Sequence, residues 1–244
     1  MAYINCRNCS HQFEGNFCPE CGQRSKEHRI DAAYFLHDIP HSILHVDKGF
    51  PYTFLQLIKR PAKALEKYLD GKRVSFNRPF GYVVIMSAIG ALLTNQVRLL
   101  IQYVYLKRTG ETLVQHGSFF THYQSVFIFL MIPLASLCTW VAFSKCRYNF
   151  WEHALINTYM AAQLNLLLVL IQLFSLIKFL ITGSAHYSLT LFIKGFMTYY
   201  AFTFSGLMHN EVLGWRLGLR LGFMCFLLAS VYATCMSFAG IIKP

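Results

Sequence analysis

The sequence predicts an all-α fold: a polytopic transmembrane helical bundle of about five spans, with a small four-cysteine module at the N-terminus. Three observations predict it. Only 14% of the 244 residues are charged and 55% are hydrophobic, whereas a soluble domain carries about 25% charged residues. Beyond Pro79 the apolar residues gather into long stretches, close to the roughly 20 residues that a helix needs to cross a hydrocarbon core. Near the N-terminus, Cys6, Cys9, Cys18 and Cys21 stand as two C-x2-C pairs.

Charge is unevenly spread. Twelve of the 22 Lys and Arg residues lie before Phe80, as do eight of the 11 Asp and Glu. The expected organisation is therefore a ribbon over 1–24, cytosolic amphipathic helices over 25–79 and a transmembrane helical domain over 80–244. The net charge of +11 has three readings. Positive-inside topology comes first. Attraction to anionic lipid, worth about 1 kcal/mol per basic residue near a bilayer surface, comes second. Nucleic acid comes last and is not the expected partner. The chain enters its first cysteine pair at once, without the basic and apolar regions of a cleavable signal, so the N-terminus is expected to stay in the cytosol.

Cys6-Arg7-Asn8-Cys9 and Cys18-Pro19-Glu20-Cys21 are separated by eight residues. A C-x2-C turn aims two thiolates at one ion, and two turns close a tetrahedron of sulfur, the preferred structural site for zinc. A rubredoxin-like iron site and a redox dithiol are the alternatives. A disulfide framework does not suit a reducing cytosol. Gly15 and Asn16 suit the turn of a small hairpin in the gap, with Phe13 and Phe17 packing over the metal; His11 reads as a surface residue. A closed all-thiolate site stabilises rather than catalyses, because it has no open position for substrate. Such a module is expected to present a surface to a partner.

Asp31 suits the N-cap of a helix beginning at Ala32. A second helix is expected to follow Asp47, with Phe54, Leu57 and Ile58 at helical spacing. A third is expected to start at Pro61 and stop at Gly71. These helices are amphipathic. Lys59, Arg60, Lys63, Lys67, Lys72, Arg73 and Arg78 are the candidate contacts for anionic lipid or a partner. Packing of these helices on the protein's own cytosolic end is the competing reading. His37, His41 and His45 recur every fourth residue, but Pro40 interrupts their helix, so a second metal site is not expected there.

Five spans are expected, at Phe80–Tyr103, Gln124–Phe143, Ala154–Leu180, Ser188–Leu207 and Leu217–Ile241. The fourth is the weakest, because Lys194 interrupts it. The bias of Lys and Arg favours an inside N-terminus and an outside C-terminus, with Lys107 and Arg108 as a mild exception. Arg98 is expected to snorkel outward. Thr158, Asn165 and Gln172 repeat every seven residues and share one helix face. That face suits interhelical hydrogen bonds before it suits a polar conduit. Gly214, Gly218 and Gly222 form a G-x3-G-x3-G stripe that suits close helix packing, against a span of the same chain or of another copy. Glu152 with His153, and His209 with Glu211, form a candidate polar cluster at the cytosolic surface. No nucleophile accompanies it, and seating of helix ends is its first reading.

Several strings then fall in a recognisable order. Cys18-Pro19-Glu20-Cys21-Gly22-Gln23 precedes Arg29-Ile30-Asp31. Lys48-Gly49-Phe50, Thr53 with Leu57, Arg60-Pro61 and Tyr68-Leu69-Asp70-Gly71-Lys72-Arg73 follow, and Phe150-Trp151-Glu152-His153 forms a second block. In this order they resemble the domain-of-unknown-function 3667 family, bacterial integral membrane proteins that join an N-terminal zinc ribbon to several spans. One departure is Asp31, where the family pattern favours threonine. The resemblance implies the architecture and a bacterial inner-membrane location, and no substrate.

The leading functional expectation is a membrane-anchored zinc-ribbon scaffold or adaptor, with structural Zn2+, docking a protein partner or a second copy at the cytosolic face of the bilayer. A small transporter or channel is the first alternative, and a membrane enzyme acting on a lipid or lipid-linked group is the second. No catalytic residue is assigned.

Overall fold

The computed structural model describes residues 3–26, 28–35, 49–111, 126–183 and 189–238. The histidine repeat at 37, 41 and 45 lies outside them, as does Asp47.

The N-terminal module holds two short strands, β1 (Ile4–Asn5) and β2 (Gln12–Phe13), paired antiparallel. They close around the first C-x2-C turn, and a Phe17–Arg24 bridge closes around the second. The expected hairpin in the gap is thus replaced by two smaller ones, each with a cysteine turn at its tip. Gly15, at φ 113°, lies on the link between them. Phe13 packs against Cys6 and Cys18 as expected. Phe17 does not: it is 58% exposed and lies beneath the Arg24 guanidinium.

Asp31 caps the helical turn at 32–35, its carboxylate accepting from the Tyr34 N–H at 2.8 Å. Helix α1 (Phe50–Lys59) buries Thr53 and Leu57, while Ile58 turns outward. Helix α2 (Pro61–Leu69) buries Pro61, Ala64, Leu65 and Tyr68. It ends in a Schellman motif: the Lys72 N–H donates to Lys67 O and the Gly71 N–H to Tyr68 O. That geometry puts Gly71 at φ 102°, which a side chain resists. Helix α2 lies on the end of the bundle, where a Cβ on Gly206 would stand 2.6 Å from that of Ala62. The packing reading of these amphipathic helices therefore describes the inner face of α2, and its basic residues lie on the other face.

The bundle comprises α3 (Pro79–Thr109), α4 (Ile132–Ala142), α5 (Phe150–Thr182), α6 (Leu189–Met208) and α7 (Gly214–Phe238). Among the described residues, α3, α5 and the Gly214–Cys235 part of α7 are long and apolar enough to cross a membrane. Helix α4 is shorter than the span expected there. The chain is helical at 126–130 but breaks at Met131, because Pro133 has no N–H to continue the ladder. Helix α6 has 20 residues, about 30 Å at 1.5 Å per residue; Lys194 and several hydroxyls lower its apolar character.

Side-chain contacts fix the directions. Gln163 meets Tyr82, Asn165 meets Ser87, and Arg108 meets Phe179, so α3 and α5 run parallel. Trp140 near the end of α4 meets Phe150 at the start of α5, while Ile132 and Ala135 face Ala161 and Leu164 across a cavity, so α4 runs against α5. Tyr200 meets Asn157 and Phe204 stacks on His153, so α6 also runs against α5. Phe192 and Phe127 both meet Tyr232 near the end of α7. The five passes alternate in direction. The loops at 70–78, 143–149 and 209–213 share the end that carries the cysteine module.

Intramembrane polar residues bond both within and between helices. Thr158 and Asn165 are fully buried; Thr158 bonds back to Ala154 O, and Asn165 donates to Ser87. Gly90 makes room for Asn165, whose Cβ would stand 3.0 Å from a Cβ there. Arg98 lies about 28 Å along the axis from Pro79, near the thickness of a hydrocarbon core, and donates to Asn95 at 2.7 Å. A cavity of about 40 Å³ lies among α4 to α7 with almost wholly apolar walls. It is large enough to hold water, but its apolar walls offer a water few partners.

Candidate metal centre

The two cysteine turns repeat one backbone pattern. Cys6 N–H donates to His11 O at 2.9 Å and Ser10 N–H to Cys6 O at 2.9 Å; Cys18 N–H donates to Gln23 O at 2.8 Å and Gly22 N–H to Cys18 O at 2.8 Å. Ser10 and Gly22 occupy equivalent left-handed positions, at φ 65° and 74°. This equivalence turns both thiol pairs to a common point. All four Sγ atoms lie within 4.8 Å of one another, with Cys6–Cys21 and Cys9–Cys18 at 3.5 Å. Metal–sulfur bonds of about 2.3 Å in a tetrahedron require edges of about 3.8 Å. The donor set and its spacing therefore fit a single tetrahedral metal ion.

The protons on these sulfurs are unequally held. Burial opposes ionisation of Cys6, but the backbone N–H groups of Cys9 and Asn8 and the neighbouring thiols outweigh it and bring that thiol down to about 7. At Cys9 the His11 backbone favours the thiolate, but desolvation and the thiols of Cys18, Cys21 and Cys6 prevail and push it up to about 12. Four thiolates in this volume need a cation to neutralise them.

Beneath the metal centre runs a polar seam. Asn8, inside the first turn, accepts from Ser75 N–H at 3.3 Å and Ser75 Oγ at 2.9 Å. Gln23, just after the second and 1% exposed, accepts from the N–H groups of Arg73 and Val74 at 3.4 and 3.2 Å. Arg7 donates to Asp70 O. The seam continues into the bundle. Arg73 donates to His28 O, and its guanidinium lies over the Tyr34 and Tyr68 rings at 5.0 and 5.9 Å. Asn77 N–H donates to Thr53 Oγ1, and Tyr159 donates to Asn77 O. Gly49 allows this approach: a Cβ there would stand 2.7–2.8 Å from the backbone of Ser75, Phe76 and Asn77. On the far side, Arg29 grips Glu152 with two bonds of 2.8 and 2.9 Å, and Arg147 pairs with Asp70 at 2.7 Å.

Residues 47–90 match the family described as "Protein of unknown function (DUF3667)". The match covers 44 of the 244 residues. It contains α1, α2, the seam loop and the first third of α3, and leaves the four cysteines outside. No curated protein and no solved structure matches the chain. Within the matched segment, Gly49, Thr53, Gly71 and Arg73 are the residues that hold the seam.

The other candidate residues divide. Lys59, Arg60, Lys63, Lys67 and Arg78 lie on the exposed surface, while Lys72 and Arg73 are half-buried. The polar cluster disperses among several partners. The Glu152 carboxylate serves Arg29 and the Asn149 N–H in a capping box at the start of α5. His153 is fully buried, bonded to Thr139 and stacked on Phe204. His209 is exposed and meets Asn210; Glu211 is exposed near Cys146 and Arg147, whose titration it influences. Gly214, Gly218 and Gly222 would each meet nothing within 4 Å through an added Cβ, so among the described residues no helix of this chain packs on the stripe. Sequence reasoning missed Asn8 and Arg147 as seam partners. Single polar side chains bonding to a loop far along the chain leave no periodic signal.

Proposed function

We propose that this chain is a membrane-anchored adaptor, in which a zinc-loaded cysteine module seated on the cytosolic end of the bundle docks a protein partner. One observation carries the reading. The module is bonded to the bundle through Asn8 and Gln23 on one side, while Tyr3 and Phe17 stay 75% and 58% exposed. Aromatic side chains on a rigid support are the usual anchors of protein interfaces. Zinc is the metal that a closed four-thiolate site favours, and such a site supports structure rather than chemistry.

The surroundings support a cytosolic placement. Lys145, Arg147, Arg216 and Arg220 share the module's end with the early basic residues, against Lys107, Arg108 and Lys178 at the other, as expected of an inside N-terminus. Exposed Lys59, Lys63 and Lys67 beside half-exposed Leu55 and Ile58 suit the headgroup region of an anionic bilayer such as a bacterial inner membrane.

Affinity purification from membranes in mild detergent tests the reading. Tyr3→Ala with Phe17→Ala, and separately Cys18→Ser with Cys21→Ser, are each expected to lose a protein that the unaltered chain retains. Retention of every bound protein by both variants would defeat the adaptor reading.

A further inference from the structure

The metal centre and the entry to the first long helix are joined by bonds that only a folded cysteine module supplies. Arg7 and Asn8 are the two residues enclosed by the first C-x2-C pair, and Gln23 follows the second by one glycine. Their side chains are placed by the turns that aim the sulfurs. Asn8 and Gln23 both end on the same backbone stretch, the N–H groups of Arg73, Val74 and Ser75. That stretch lies between the Schellman end of α2 and Pro79, the first residue of α3. Its next links run inward, to Thr53 and to Tyr159 of α5.

A module of about 20 residues is too small to fold on its apolar core alone. Its turns depend on the metal, and metal binding is folding in such modules. We infer that metal occupancy acts as a latch on the loop at 73–75. With the ion bound, Asn8 and Gln23 hold three loop N–H groups; without it the turns open and those groups lose their acceptors to water. The metal thereby sets the order of the segment that leads into α3. The Arg29–Glu152 pair arises after the module in the chain, so it keeps the bundle end assembled when the latch opens.

The inference rests on the metal reading of the four cysteines, and hydrogen exchange of the full chain in detergent separates the two. Elemental analysis first establishes the metal content, before and after chelation. On chelation the amides of 73–75 are expected to exchange at least about tenfold faster, while those of α5 across 155–165 stay unchanged. Asn8→Ala with Gln23→Ala is expected to speed the same three amides with one ion still bound per chain. Absence of metal uptake by the reduced protein would overturn both readings. Metal release that leaves 73–75 unchanged, or that loosens α5 equally, would overturn the latch alone.

Discussion

At the scale of single residues, the cysteine turns combine two opposing tendencies. Backbone N–H groups draw the Cys6 thiol down to about 7, and desolvation with crowding by other sulfurs drives Cys9 up to about 12. Near neutral pH Cys9 therefore still carries its proton, and a metal ion must displace it. The sign follows: apparent metal affinity falls as pH falls, because protons compete for the same sulfurs. Titration with a chromophoric chelator between about pH 6 and 8 is expected to show steadily weaker binding toward acid. A flat profile would contradict a thiolate site. Gly49 shows a different kind of constraint. Its would-be Cβ faces backbone atoms of Ser75, Phe76 and Asn77 that have no rotamer to yield. Gly49→Ala is expected to lower stability by about 1–3 kcal/mol, as overpacking does in a tight site, read as a fall in the thermal unfolding midpoint in detergent.

At the scale of elements, the long helices were legible because apolar length is a property of local sequence. The start of α2 at Pro61 and its stop at Gly71 were equally legible, from a missing N–H and a positive φ. The break ahead of α4 follows from Pro133, which sits inside an apolar run that otherwise reads as unbroken. The hairpins of the N-terminal module were misplaced, since the cysteine turns themselves provide the reversals. The glycine stripe on α7 was legible as a pattern but not in its use. Its small residues face open space within the chain, so Gly218→Ala and Gly222→Ala remove no contact of α7 with its own bundle. Alanine also gains up to about 1 kcal/mol of helix propensity over glycine. The unfolding midpoint of the purified chain is expected to stay level or rise. A fall would show that another helix rests on that face.

At the scale of the whole molecule, the fold joins two solvents. Several of the bundle's polar groups bond internally, through Asn157 with Thr139 and Tyr200 and through Asn165 with Ser87, as a lipid environment favours. The module at its end is instead seated by a seam of directional bonds, and its four sulfurs could hold one metal ion. That seam was the least legible part of the chain. Arg29 and Glu152 stand 123 residues apart, and Asn8 and Ser75 stand 67 apart; pairings at such separation are settled by tertiary packing. The resemblance in the sequence contained several of these residues, including Gly49, Gln23, Arg29, Arg73 and Glu152, without indicating that they meet. The account turns on the four sulfurs acting as one metal site. Native mass spectrometry of the detergent-purified, fully reduced chain tests this most directly. The account predicts the mass of the polypeptide plus one divalent ion, with the ion absent from Cys18→Ser, Cys21→Ser. Bare polypeptide with all eight thiols free, after exposure to excess zinc, would contradict it.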